Sequence, residues 1–223
     1  MRRLPVYIVL LLIVFPTYGQ DDSLVRGWLE QQEARFGETD SVVVLEAYTL
    51  RMEGSFGERT RSQERVKRLW PPPERPGLER SPAPRRLRSG MRERRLPFNH
   101  IDAMLRLQMP RLSLAATAAE QVEGEQAIRH TLQTTERRSP IQTATLWIAP
   151  GTQRLLRSVI EVRLPFQEEP MRVVTTYRRV DGLDVPLVRT AEGHMRRKRR
   201  GRTFSQYLSF EARYSDVVLV PRL

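Results

Sequence analysis

The stretches ATLWIAPGTQRLLRSVIEV (residues 144–162) and MRVVTTYRRVDGLDVPLVRT (residues 171–190) decide the reading of this chain. Each is a pair of apolar, β-branched runs around a turn dipeptide, Pro150-Gly151 in the first and Asp181-Gly182 in the second. Such dipeptides adopt the tight backbone geometry of a two-strand turn, so each stretch predicts a β-hairpin. Consecutive hairpins build a broad antiparallel sheet. A sheet with one apolar face must cover that face or bind something with it.

Working outward, strands are read at residues 112–118, 126–134, 144–149, 155–164, 171–180, 183–190 and 203–214. In the last of these Phe204, Leu208, Phe210, Ala212 and Tyr214 alternate with Thr203, Ser205, Ser209, Glu211 and Arg213, which makes one face apolar and the other wet. The β-branched run at residues 42–53 is the first strand. Ahead of it, Leu24, Val25, Trp28, Leu29 and Phe36 recur at helical spacing behind Asp22 or Ser23 as a cap. That predicts an amphipathic helix over residues 23–36, ended by Gly37. A second, short helix is capped by Asn99 and Asp102, carries Ile101, Met104, Leu105 and Met109, and stops at Pro110. Between the first strand and this helix, residues 59–95 interleave six prolines with arginines. They read as a long, largely extended loop with at most a short strand at residues 66–70. Eight strands and two helices make an α+β architecture, a curved antiparallel sheet wrapping amphipathic helices on its concave face.

The start of the chain sets the expected compartment. Arg2 and Arg3 precede an apolar core at residues 6–15 and the small-x-small site Thr17-Tyr18-Gly19, the pattern of a secretory signal peptide cleaved after Gly19. A membrane anchor is the rival reading, but a spanning helix needs roughly 20 apolar residues. No cysteine is present, so an exported domain of this kind has no disulfide framework and is held by its core alone. Residues 20–223 are long enough to fold as one domain.

The formal charge of +12 is concentrated rather than spread. Thirteen basic residues against four acidic ones fall within residues 59–95, and Arg196, Arg197, Lys198, Arg199, Arg200 and Arg202 form a second run. A fold that is mildly acidic outside two basic excursions is not a nucleic-acid binder. The run at residues 196–202 reads either as a solvated hairpin loop or as a site for anionic lipid headgroups or phosphates. Enzyme signatures are missing from the sequence: His100, His130 and His194 lack metal-site spacing, and no serine sits in a nucleophile elbow. The expectation is no catalytic residue, no metal and no cofactor. His130 reads as a strand residue at a sheet edge or in the core.

The order of elements, the wording TLWIAPGTQRLLR with Leu146-Trp147-Ile148 before a turn, YRRVDGLDVPL over residues 177–187, and the closing RYSDVVL together resemble the outer-membrane lipoprotein carrier and sorting superfamily, LolA-like proteins. The resemblance runs over residues 23–220. It implies an open, incomplete β-barrel with helices as a lid over a hydrophobic cavity, and a periplasmic protein that carries or senses acyl chains. Implied partners are lipoprotein acyl chains or other lipid, with an inner-membrane donor and an outer-membrane acceptor, and the carrier is expected to be a monomer. The alternative is an envelope sensor of the same fold that binds a protein partner. Candidate cavity residues are Leu50, Met52, Leu146, Ile148, Val173, Tyr177, Phe204, Leu208 and Phe210, with Ile101, Met104 and Leu105 as a movable lid. The same residues, methionines included, suit an ordinary core equally well.

Overall fold

The structure, a computed structural model, describes residues 22–54, 57–70, 101–136, 139–163, 169–199 and 202–222. The expected signal peptide, the proline-rich residues 71–95 and the cap at Asn99 lie outside them. Among the described residues no helix is long and apolar enough to cross a membrane. The elements are α1 (Ser23–Gly37), β1 (Thr39–Gly54), β2 (Gly57–Trp70), α2 (Ile101–Gln108), a single turn of 3-10 helix (Met109–Arg111), β3 (Ser113–Val122), β4 (Glu125–Gln133), β5 (Ile141–Ala149), β6 (Arg154–Val162), β7 (Met171–Val180), β8 (Leu183–Arg199) and β9 (Arg202–Pro221).

All nine strands form one sheet in the order β2-β1-β9-β8-β7-β6-β5-β4-β3, and every pairing is antiparallel. From β3 to β9 the chain is an up-and-down meander. The β1–β2 hairpin then joins the β9 edge. The sheet does not close, because β2 and β3 are its two ends. Both helices cover one face: α1 packs against β1, β5 and β8, and α2 against β5. This is the open α+β architecture expected from the hairpins.

The inward alternation predicted for the last strand holds, since Leu208, Phe210, Ala212 and Tyr214 are all buried while Glu211 and Arg213 are exposed. They join residues of both helices and of β1, β4, β5, β6, β7 and β8 in a single core. A much smaller cluster, Ala127, Ala149 and Leu156 with Val122 and Trp147, lies apart from it. The α1 cap is only half as read. Asp22 occupies the cap position without making a capping bond, and its carboxylate instead accepts two bonds from Arg26 at 2.9 and 3.0 Å.

Two loop expectations are corrected. Residues 57–70 are a full edge strand, paired with β1 from Val42↔Trp70 to Gly54↔Gly57, and not the beginning of a loop. An edge strand needs only one side of its ladder satisfied and tolerates charge on its outer face. Its inward positions are filled by polar pairs in place of aliphatic side chains: the Tyr48 hydroxyl donates to Gln63 at 3.0 Å, and Arg65 and Lys67 both bond Glu46. Apolar periodicity could not reveal a strand built in that way. The second correction is at residues 191–202, expected as a loop. There β8 continues to Arg199 and β9 begins at Arg202, in register to the last pair, Arg199↔Arg202.

Leu146 is fully buried in the centre of β5. Leu146→Ala is expected to lower unfolding stability by about 2–5 kcal/mol through lost burial and the cavity left behind, read from the urea midpoint at unchanged slope.

Candidate functional site

The residues expected to line a cavity come together on the concave side of the sheet. Leu50, Ile101, Leu105, Leu146, Ile148, Val173, Tyr177, Leu208 and Phe210 all belong to the one core, and Met52 and Met104 pack against it half-buried. Of Phe204 the structure gives only the backbone pairing with Arg197. The same holds for Arg196, Arg197, Lys198 and Arg199, whose side chains are outside the described part, as is Arg200 altogether. What remains open is a cleft where α1 and α2 meet the sheet, lined by Trp28, Gln32, Phe36, Leu105, Arg106, Tyr177 and Asp184 among others. Its free volume is about 50 Å³. Of the expected lining only Leu105 and Tyr177 face it, while Leu50, Ile101, Leu146, Ile148, Val173, Leu208 and Phe210 are packed in the core.

A band of polar groups crosses this apolar face. At its centre is Arg189 of β8, whose side chain has no exposure to water. Its guanidinium bonds the carboxylate of Asp102 on α2 and donates to Thr175 Oγ1 at 3.0 Å. Asp102 also accepts from the Tyr177 hydroxyl at 2.7 Å, and that hydroxyl is 3.0 Å from Ser158 Oγ. On the other side the Tyr214 ring lies between two cations, 5.6 Å from Arg189 and 5.3 Å from Lys67. Beyond it Lys67 donates to Glu46 at 2.6 Å and Arg65 to the same carboxylate at 2.7 Å. The band therefore runs from the edge strand β2 through β1, β9, β8 and β7 to β6, with α2 pinned to its middle.

The charges respond to these surroundings. Burial pushes the carboxyls of Asp102 and Glu46 up, but Arg189 beside the first and Lys67 and Arg65 beside the second outweigh it, so both stay below their usual values of 3.8 and 4.5. Burial dominates at Lys67 and pulls it down to about 8, with Glu46 opposing and Arg189 assisting. Burial also disfavours the Arg189 cation, yet Asp102 holds it firmly charged. A buried charge with one partner on a small helix makes a latch: α2 is held by an ion pair whose loss strands the other charge.

Two further ties hold the helices. Arg106, one turn after Asp102 on α2, stacks over Phe36 of α1 at 4.1 Å and Trp70 of β2 at 5.3 Å, and those two rings are 4.7 Å apart. Asp184, just past the Asp181-Gly182 turn, fixes α1 by accepting from Trp28 Nε1 and from the Leu155 backbone, both at 2.9 Å, while Arg179 pairs with it at 3.0 Å. Gln32 of α1 completes the joint, accepting from the Asp184 backbone at 2.8 Å and donating to the Gly182 carbonyl at 3.2 Å. The turn that identifies the hairpin in the sequence is thus also the seat of helix α1. Gly182 takes φ +86°, and a Cβ there would come within 2.9 Å of Arg35 Nε.

The buried charges were not read from the sequence, although one carried a signal. Glu46 falls at the inward parity of β1 between Val44 and Tyr48, and a carboxylate there needs a cation. Arg189 carried none. A bulge between Thr176 and Tyr177 sets Leu187 outside the ladder, so that Asp184 and Pro186 before it and Arg189 and Ala191 after it are all buried. His130, directly across the ladder from Leu146, is a buried strand residue.

No family model matches the chain, and no curated protein matches it in sequence. Among solved structures it is similar to an outer membrane lipoprotein-sorting protein domain from Vibrio parahaemolyticus, at 11% identity and TM-score 0.42, over 86% of this chain and 91% of that one. It is similar to a DUF1329 family protein from Desulfovibrio piger at 10% identity and TM-score 0.43, over 87% and 92%. A LolA superfamily protein from Nitrosomonas europaea aligns at 14% identity and TM-score 0.39, over 89% and 94%. The fold itself rests on the strand order above.

Arg189→Met is expected to cost about 3 kcal/mol, the low end for breaking a buried pair because Asp102 is partly open to water, and a double-mutant cycle with Asp102→Asn should show strong coupling in urea unfolding. Carboxyls held below their usual values stabilise the folded state above those values. That stability is lost as the pH falls below 4.5 and 3.8 toward the lowered folded values. The urea midpoint should therefore drop between pH 5 and 3, with a shallower drop in Asp102→Asn.

Proposed function

We propose that this protein is a periplasmic carrier that shelters acyl chains, of a lipoprotein or another lipid, against the concave face of its open sheet. The observation that carries this reading is the construction of the lid. Two helices lie on an apolar face crossed by a polar band, and the one lying over Tyr177 is held by an ion pair and a cation–aromatic stack, not by deep burial along its whole length. Met104 lies on that helix, half-buried against the core, and Leu107 is exposed.

An acyl chain of about sixteen carbons carries on the order of 13 kcal/mol of hydrophobic free energy, so transfer through water needs a sheltering surface. The cleft of about 50 Å³ is far below the roughly 300–1,000 Å³ of a ligand site, so loading requires α2 to swing away and expose the face beneath. Breaking the Asp102–Arg189 pair is the energetic gate for that motion. Export by the residue 1–19 segment, and a donor and acceptor at the two membranes, belong to the same proposal.

A second reading is favoured by the small cleft and by a strip of exposed aliphatic residues, Val66, Val218 and Val220, on the face away from the helices. It is an envelope interaction module that binds a protein partner and no lipid.

Organic extracts of the purified native protein, analysed by mass spectrometry, should contain acyl lipid, and a fluorescent fatty-acyl probe should bind and be displaced by it. Absence of both sinks the carrier reading in favour of the partner-binding one. Met104→Glu is expected to abolish probe uptake while leaving the far-UV circular dichroism unchanged, and full uptake by that variant would count against a moving lid.

A further inference from the structure

We propose that the end of the β8–β9 hairpin is a membrane-docking ribbon that seats the protein on an anionic lipid surface. β1 pairs with β9 only as far as Gly54↔Gln206, and β7 with β8 only as far as Arg172↔Glu192. Beyond these points, among the described residues, β8 and β9 pair only with each other, through Arg196↔Ser205, Arg197↔Phe204, Lys198↔Thr203 and Arg199↔Arg202. Four residue pairs at about 3.3 Å per residue make a ribbon that projects roughly 13 Å past both neighbouring strands.

The ribbon places Arg196, Arg197, Lys198, Arg199 and Arg202 together, and residues 193–210 contain no acidic residue. A two-stranded ribbon with no sheet neighbour among the described residues has no core of its own to build, so it gains nothing from a dense cationic sequence unless a counter-surface supplies the opposite charge. Each basic residue near an anionic bilayer strengthens attachment by about fivefold, so the five together amount to about three thousandfold. Met195 and Phe204 flank the cationic run on the two strands, apolar residues of the kind that enter the headgroup layer. An extended bilayer fits this array better than a small anion, which three or four cations already saturate.

Position supports the same occupant. The α1 seat at Asp184 lies at the opposite end of β8, so a protein resting on its ribbon keeps the α1 end of the concave face turned away from the surface. The free flank of β8 and the β1–β2 turn at Gly54 and Gly57 share the ribbon's end of the sheet. The docking role deepens the carrier reading, but its test needs no cargo.

Cosedimentation with phosphatidylethanolamine–phosphatidylglycerol vesicles should show binding that weakens steeply from 0.05 to 0.5 M salt and is absent with phosphatidylcholine vesicles. Replacing Arg196, Arg197, Lys198 and Arg199 by Glu should lower vesicle binding at least a hundredfold, and the milder R197Q/R199Q should lower it roughly twentyfold with the urea midpoint unchanged. Reversing the exposed Arg172 and Arg213 should leave binding within a few fold. Equal binding by the ribbon variants, equal binding to phosphatidylcholine, or tight binding to heparin without vesicle binding would each overturn the proposal. Probe uptake measured without vesicles reports on the carrier reading separately.

Discussion

A guanidinium sealed from water in the middle of an apolar sheet face is the constraint around which this molecule is built. Arg189 cannot be left alone there, since an unpaired buried charge costs several kcal/mol. The sheet answers with Thr175 and the face of Tyr214, and α2 answers with Asp102. The helix is therefore the counter-ion of the sheet as well as its cover. Moving the helix means supplying Arg189 with something else, water or another anion, so opening has a built-in threshold that ordinary hydrophobic packing would not provide.

The same band settles how a strongly charged strand became part of the fold. Lys67 and Arg65 reach inward from β2 to Glu46, and the Tyr214 ring separates that group from Arg189. A polar stripe of this kind fixes register more sharply than interchangeable aliphatic contacts, because a slip of one residue would turn Lys67 and Glu46 to opposite faces. It also divides the apolar face across the strands, with Ile160, Val173, Ala191, Phe210 and Leu50 in one cross-strand row on one side of it and Ile148 and Leu155 on the other.

Where the sequence was legible, simple periods carried the message. Alternation in β9 and the Asp181-Gly182 turn gave the sheet, and the Ile101, Leu105 spacing gave α2. What stayed hidden depended on partners that no local pattern names. β2 alternates charge with charge, so only its ladder to β1 reveals it, and Arg189 is buried because a bulge at Leu187 resets parity two residues earlier. The cavity residues were legible as a set for the same reason that their role was not. Apolar parity marks the face that is covered and is silent on whether the cover lifts.

The pairing of β1 with β9 reaches across nearly the whole described chain, from Thr39↔Pro221 to Gly54↔Gln206. Strands β3 to β9 can zip through neighbouring turns, whereas β1 has no sheet to join until the last strand exists. Such a closure is slow and comes late, because the loop entropy is lost before the distant contacts return it. A chain emerging N-terminus first would hold the β1–β2 hairpin and helix α1 unattached throughout its synthesis, and would acquire its full cooperativity in one final step.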